Sequence, residues 1–391
     1  MARDLRTRLA GIRSTTIPRN LPPASQRTLS GWDQISPHFW MRKRSQPVSS
    51  IDLDQQLDAS PFSARLRSVG LSLPELRFFD LETTGLSGGT GTVAFLATLG
   101  RFSPGGRFDT VQYFIDDYPG EPAMVYRLAL DLSEAAAIVT YNGASFDLPL
   151  FRTRCILNGL KPPEVPLHMD LLPVARRLWR TVLPDCSLGT IERSILSIDR
   201  GPDLPGSAIP ERWFSFLRGD RNIEEAMEVV FSHNESDVRT LAMLLVLMAN
   251  GFVEGQVLGA DPVGLAFLLG RSNPDLALGT LESALASGEL RAIKPLMRTY
   301  WKAGRREDRM GLVHLLPDDS YGLYMKSLRA EKVDKDLDTA LSLARQALAV
   351  AEGSIARRIE HRLRRLNHMY ADKEGDTALR QGEFNSGSGD D

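Results

Sequence analysis

The sequence predicts a mixed α/β sheet with helices packed on it, followed by an all-helical region. Three strand-like runs follow one another from residue 77, strands then alternate with helices to about residue 250, and after residue 262 only amphipathic helical patterns remain. The length allows it. At 391 residues, 42% hydrophobic and 25% charged, the chain has the composition of an ordinary globular protein with room for two or three domains.

Residues 1–50 are rich in Arg, Ser and Pro, lack a helical or strand period, and carry nine Lys or Arg against Asp4 and Asp33, a balance of +7. They read as the core of an extended basic arm over residues 1–70. Such an arm either grips phosphates, with Trp40 stacking on a base, or lies over the next domain. An organelle transit peptide fits poorly with Asp4, Pro18, Pro22 and Pro23, and there is no apolar secretory core. No apolar run reads as long enough to span a bilayer. Cys155 and Cys186 are far apart and without partners at metal spacing, so a reducing cytoplasm is expected, with neither zinc nor disulfides.

From Leu71 the pattern tightens. Residues 77–81, 92–102 and 110–116 read as strands, the last two joined by a Ser103-Pro104-Gly105-Gly106 turn. Residues 121–132 have helical spacing after Pro119-Gly120. Residues 137–141 form a fourth strand ending in Asn142-Gly143, and a helix over 146–157 stops at Asn158-Gly159. A fifth strand over 167–171 leads into a helix over 172–179. Residues 180–222 are Pro- and Gly-rich around a short helix at 188–196, and Asn222 caps a helical stretch over 223–248. After a linker at 255–262, helical segments at 275–287, 292–303, 307–316, 321–330 and 337–351 suggest either stacked tetratricopeptide-like hairpins over 263–371 or a plain bundle. Ala340, Ala344, Ala347 and Ala351 share one face, which lets a helix approach. The arginines 357, 358, 362, 364 and 365 read as a solvated face or a surface for RNA or an acidic partner. Residues 372–391 are expected to be disordered.

The chemistry concentrates in three acidic stations within 71–254. In RFFDLETTGL, Asp80 and Glu82 lie two apart on a strand and so point the same way, an arrangement tolerated when a hard cation sits between them. In YNGASFD, Asp147 opens a helix just after a strand. In HNESD, His233 and Asp237 are four apart on one helical face. Four carboxylates converging in this way can hold two Mg²⁺ or Mn²⁺ ions and support phosphodiester hydrolysis, with His233 placed to take or steer a proton. Residues 71–250 carry 16 basic and 23 acidic residues, a balance of −7, so a bound phosphate chain needs cations or a basic arm.

FFDLETTGL, YNGASFD and the final His-x-x-x-Asp resemble the three motifs of the DEDD class of 3′-to-5′ exonucleases, which have a ribonuclease-H-like fold. With SGGTGTVAFLATLG, HMDLLPVARRLW and DCSLGTIE, the wording is similar to the YprB-like bacterial group, some members of which carry a tetratricopeptide tail. The resemblance implies a two-metal nuclease acting on single-stranded DNA or RNA. Asp80, Glu82, Asp147 and Asp237 would be its metal ligands and His233 its base, with Thr83, Gly85, Leu86 and Asn142 lining the strand end. The His four residues before the last Asp departs from the familiar layouts, where a His stands five before or a Tyr four before, so a water-orienting role for His233 stays open beside general-base action. Of the neighbouring residues, Asp170 reads as a helix cap or an outer carboxylate, His168 as packed, Trp179 as core, and Arg176 and Arg177 as a solvated face. The rival from another class is a nucleic-acid-binding adaptor with little or no hydrolysis, recruiting a protein partner through its helical tail. No membrane is expected.

Overall fold

The structure, a computed structural model, describes residues 28–385 apart from 49–50, 54–55, 64–65, 67–69, 86–88, 90, 165–166, 202–203 and 221. The chain divides into two compact units, Met1–Ala277 and Leu278–Asp391. The first is built on a seven-stranded mixed sheet. Its strands are β1 (Asp33–Ser36), β2 (Phe39–Pro47), β5 (Leu76–Thr83), β6 (Ala94–Ser103), β7 (Arg107–Ile115), β8 (Ala137–Thr140) and β9 (His168–Asp170). A separate small ladder pairs β3 (Gln56–Asp58) with β4 (Gly70–Ser72). The large sheet runs β1-β2-β7-β6-β5-β8-β9. Pairing is antiparallel from β1 to β5 and parallel from β5 through β8 to β9. The central strand β5 is therefore where the sheet changes sense. Crevices beyond the carboxyl ends of parallel strands, at such changes of connection, are where α/β sheets place ligands.

Helices α1 (Glu121–Ser133), α2 (Asp147–Leu157), α3 (Leu171–Trp179), α4 (Leu188–Ile191), α5 (Ile209–Arg218), α6 (Ile223–Glu254) and α7 (Pro262–Leu269) complete this unit. The strand and helix pattern expected from residue 76 onward is present. The amino-terminal arm is not: residues 33–47 are two strands of the sheet, β2 pairing along its full length with β7. Residues Phe39–Arg42 are buried four in a row and Lys43–Pro47 are exposed, so the strand shows no alternation, which is the signal a sequence reading depends on. Trp40 is 3% exposed and donates its indole N–H to Asp116 at 3.1 Å, so it does not offer a base a stacking surface. Residues 1–27 lie outside the described residues. Helix α5 was also unforeseen. Its Trp213 is fully buried, stacks on Phe95 at 5.1 Å and donates to the Ile115 carbonyl at 3.2 Å.

Helix α6 lies across the sheet. Asn222 caps it by accepting from the Glu225 amide at 2.9 Å, and it runs unbroken for 32 residues. One stretch of it, Glu225–Glu254, is long and apolar enough to cross a membrane by length and composition, against the expectation that no such run exists. Half of its apolar window is buried within the structure, as in a core helix. Gly100 of β6 makes the close docking possible, because a Cβ there would lie 2.5 Å from both Phe108 and Val238 side-chain atoms.

The expected linker at 255–262 is structured with the first unit: the Asp261 amide donates to the Leu178 carbonyl at 2.7 Å, and Asp261 caps α7. The boundary between units falls inside α8 (Pro274–Ala286). The second unit continues with α9 (Ile293–Lys302), α10 (Arg306–Gly311), α11 (Ser320–Arg329), α12 (Leu337–Ala349) and α13 (Gly353–Asn385). Ala340, Ala344 and Ala347 are fully buried, and Leu341, Ala344, Leu323 and Ile359 belong to the small cores between α11, α12 and α13. Arg362 and Arg365 are not a solvated face, because both pair with the buried Glu331, at 2.8 Å in the case of Arg362. Helix α13 continues to Asn385 through the stretch expected to be disordered, a segment poor in apolar period but containing good helix formers. Residues 386–391 lie outside the described residues.

Replacing Gly100 by Ala forces α6 off the sheet. The expected loss of stability is about 1–3 kcal/mol, the usual range for overpacking, read as a lowered urea midpoint. An unchanged midpoint would contradict the close docking of Val238 on β6.

Candidate active site

The carboxyl ends of β5, β8 and β9 lie side by side and each delivers an acid. On β5, Asp80 and Glu82 face the α6 side, while Phe79 and Leu81 belong to the opposite core, Phe79 meeting Phe151 of α2 at 6.2 Å. The register with β6 slips between Glu82 and Thr83, leaving Phe95 as an extra residue. Bulges of this kind re-aim a strand end and are common beside active sites. Beyond it, the Thr83 hydroxyl donates to the Gly85 carbonyl at 2.9 Å, and Thr84 is tied to Val93 by two bonds. Among the described residues, a Cβ on Gly85 would meet Thr92 Oγ1 at 3.7 Å, and one on Gly89 or Gly91 would meet nothing within 4 Å. Leu86 lies outside the described residues.

After β8 the chain turns sharply. Asn142 adopts a left-handed conformation, φ 67°, and a Cβ on Gly143 would lie 2.5 Å from the Thr140 side chain, so this Asn-Gly pair is required by the turn itself. Asp170 holds the turn from β9: it accepts from the amides of Asn142 at 2.8 Å, Ala144 at 3.1 Å and Leu172 at 3.1 Å, capping α3 as well. Asp170 is thus a cap and clamp. The Asn142 side chain is exposed, and its backbone forms the turn. The turn sets Asp147 at the first residue of α2, buried, where the backbone amides of Asp147 itself and Leu81 reach its carboxyl. His168 is packed: its Nε2 lies 2.8 Å from Thr140 Oγ1 and burial lowers its pKa. Trp179 is core, fully buried.

Helix α6 contributes the third station. His233 Nε2 lies 3.6 Å from Asp237 Oδ2 one turn away. Asn234, between them in sequence and fully buried, donates from Nδ2 to Asp80 Oδ2 at 2.5 Å and so links α6 to β5. Sequence reasoning missed Arg200. From the irregular stretch after the π-turn at Glu192–Leu196 it donates to Asp237 Oδ1 at 2.6 Å and, with its other nitrogen, to the buried Glu192, which also accepts from Thr240. An arginine 37 residues from its partner leaves no spacing signal.

Burial pushes the Asp80 carboxyl well above the usual carboxylate range, and the charges of Asp237, Asp147 and Glu82 push it further, against the Asn234 hydrogen bond. Burial is also the main cause that raises Asp147, to about 7, with the Asp170 charge adding and the two backbone amides opposing. The four expected ligands are therefore near enough to feel one another. Their oxygens are the hard donors that suit Mg²⁺ or Mn²⁺. Among the described residues no three Asp, Glu, His or Cys side chains are drawn together closely enough to hold an ion as they stand. Two of the acids are bonded to protein groups instead, Asp237 to Arg200 and Asp80 to Asn234. The donor set fits a divalent cation by its chemistry.

The RNase_H superfamily model matches residues 77–249, the span that holds all three stations. Residues 77–249 form an RNase_H superfamily domain. A curated relative, the "Uncharacterized protein YprB" of Bacillus subtilis (strain 168), is 37% identical over 192 residues, 49% of this chain and 46% of that protein. The chain spans about half the length of that relative. Among solved structures, the family B DNA polymerase of Pyrobaculum calidifontis is 13% identical with a TM-score of 0.36, covering 65% of this chain and 34% of the polymerase. The zinc-bound E. coli ExoI–ssDNA complex is 13% identical with a TM-score of 0.27, covering 79% and 95%.

The raised Asp147 pKa makes the metal-free RNase_H superfamily domain pH-sensitive. Between the ordinary value of 3.8 and about 7 the folded state holds a proton that the unfolded chain has lost, so stability falls as pH rises through this window. In chelator, Asp147→Asn is expected to raise the melting temperature most at pH 8, the gain shrinking as pH is lowered toward 4. A gain independent of pH would show that Asp147 is not held in this raised state.

Proposed function

We propose that the RNase_H superfamily domain is a divalent-cation-dependent nuclease, and that its activity is 3′-to-5′ exonucleolytic hydrolysis of single-stranded DNA or RNA. What supports this reading is that Asp80, Glu82, Asp147 and Asp237 stand near one another on β5, α2 and α6 at the carboxyl edge of the parallel strands, with Asp80 raised first by burial and then by the charges of the other three. Like charges gathered in a partly buried place are destabilising unless a cation joins them. Two Mg²⁺ or Mn²⁺ ions, when bound, supply an activated water near neutral pH and a stabilised leaving oxygen.

The chain's own residues do the rest. Asp80, Glu82, Asp147 and Asp237 would hold the ions, and Asp237 would have to exchange its bond to Arg200 for a cation. His233, within 3.6 Å of Asp237, takes or orients the proton of the attacking water. Thr83, Gly85 and the turn at Asn142 border the place of the terminal nucleotide. The second unit offers a helical surface for a protein partner. The Arg200 bond to Asp237 favours a second reading, an adaptor that binds nucleic acid without cutting it, because the cation position beside Asp237 is then filled by the protein itself.

A time course on matched 5′-labelled single-stranded DNA and RNA, in Mn²⁺, Mg²⁺ and chelator, decides between the two. The nuclease gives a ladder shortening from the 3′ end, absent in chelator, with Asp80→Ala reduced to the chelator background. Internal fragments would make it an endonuclease. Binding without metal-dependent cleavage, from folded protein, would establish the adaptor.

A further inference from the structure

One row of side chains crosses the sheet beneath α6. Register places Arg42 of β2 opposite Gln112 of β7, Gln112 opposite Thr98 of β6, and Thr98 opposite Asp80 of β5. The four therefore stand on one face, neighbour beside neighbour. Helix α6 seals the row: Arg42 is 4% exposed, Gln112 1%, and Thr98 and Asn234 0%.

The hydrogen bonds along this row run in a single direction. Arg42 can only donate, and gives two bonds to Gln112 Oε1, at 3.0 Å from Nε and 2.6 Å from the terminal nitrogen. The Phe231 carbonyl can only accept, and takes a bond from Gln112 Nε2 at 2.9 Å. The amide of Gln112 is pinned at both ends. Its Nε2 also donates to Thr98 Oγ1 at 3.1 Å, so the one hydroxyl proton of Thr98 is turned to Asn234 Oδ1. With its oxygen occupied, Asn234 presents its N–H to Asp80 Oδ2. No member can reverse without leaving a buried donor or acceptor unpaired, which is heavily penalised away from water.

We infer that Arg42, Gln112, Thr98 and Asn234 are positioning residues for Asp80: a one-way line of hydrogen bonds, begun by the guanidinium of Arg42, that dictates an N–H rather than a carbonyl against Oδ2. That grip fixes one of the two carboxylate oxygens, Oδ2. Its value for metal binding rests on the nuclease reading; the line itself does not. A row that merely fills a core would depend on shape and pairing, whereas this one depends on direction, and the two differ in what they predict.

Gln112→Glu keeps the shape and removes the N–H. Thr98 then turns its proton to residue 112, Asn234 reverses to donate to Thr98, and a carbonyl faces Asp80. Asp80→Asn relieves that clash by supplying an N–H. The melting temperature gained through Asp80→Asn in chelator is therefore expected to be greater in the Gln112→Glu background than in the unaltered chain, by about 2 °C or more. The bond lost at Phe231 is lost in the Gln112→Glu background whether or not Asp80 is replaced, so it drops out of the gain measured there. Calorimetric titration of the full chain with Mn²⁺ should show Gln112→Glu weakening affinity about 10–100-fold, the range for partners of metal ligands. Should Gln112→Glu fail to fold, Thr98→Val removes the hydroxyl that holds Asn234 Oδ1 with nearly unchanged shape, and the same weakening of Mn²⁺ affinity is expected without the reversal of Asn234. Absence of coupling with unchanged Mn²⁺ affinity overturns the inference. If the unaltered chain takes up no Mn²⁺, the nuclease reading falls, and the melting cycle alone decides the line.

Discussion

The first unit is organised by one electrostatic constraint: Asp80 sits in a desolvated place with Asp237, Asp147 and Glu82 close enough to raise its pKa together. Nothing in hydrophobic packing calls for such a cluster. A sheet and helix that merely covered each other would place apolar residues there, as they do at Phe78, Phe102 and Phe108 two strand positions away. The fold holds the acids in place with directional bonds instead. Asn234 grips Asp80, Arg200 grips Asp237, and backbone amides reach Asp147. Each restraint comes from a different element, so the cluster is only as well formed as the docking of α6 and α2 on the sheet.

That dependence explains features that look remote from the site. Gly100 brings α6 close enough for Asn234 to reach β5, and the buried pairing of Arg154 with Glu121 ties α2 to α1 behind the second station. Asp170 has the sequence context of a fourth acidic station but spends its oxygens on three backbone amides, fixing the turn that precedes Asp147. Two carboxylates at one edge of the sheet, Asp170 on β9 and Asp80 on β5 with β8 between them, thus do different work because one meets N–H groups and the other meets acids. Strand β2, which resembles a basic tail in composition, supplies Arg42 to the same polar row, so its positive charge is consumed inside the domain.

The helical unit uses the same devices with another result. Glu331 is buried, and its pairing with Arg362, Arg365 and Lys332 draws its pKa to about 2 in spite of desolvation. There opposite charges meet and the cluster is self-sufficient, joining the π-turn at Ala330–Asp334 to α13. At the carboxyl edge of β5 four acids share one guanidinium, that of Arg200 on Asp237, and Asp80 stays raised by burial and by its acidic neighbours.

How far the sequence went can be traced by the range of each signal. The three acidic stations, the strand order in sequence from 76 to 170 and the cap at Asn222 were legible, because alternation, helical spacing and turn chemistry are properties of residues a few positions apart. Strand β2 was hidden because both of its faces are covered along Phe39–Arg42, which erases the period of two, and α5 was hidden among prolines and glycines. Sequence could name Asp80 but not its environment. The cross-sheet line from Arg42 through Asn234 to Asp80 and the Arg200 grip on Asp237 join residues 14 to 154 positions apart, and only strand register and helix docking decide that they meet. The sequence by itself determined which acidic groups recur at strand and helix ends; the tertiary structure decided which are held, neutralised or left facing one another, since electrostatic and hydrogen-bond energies depend on distance in space rather than along the chain.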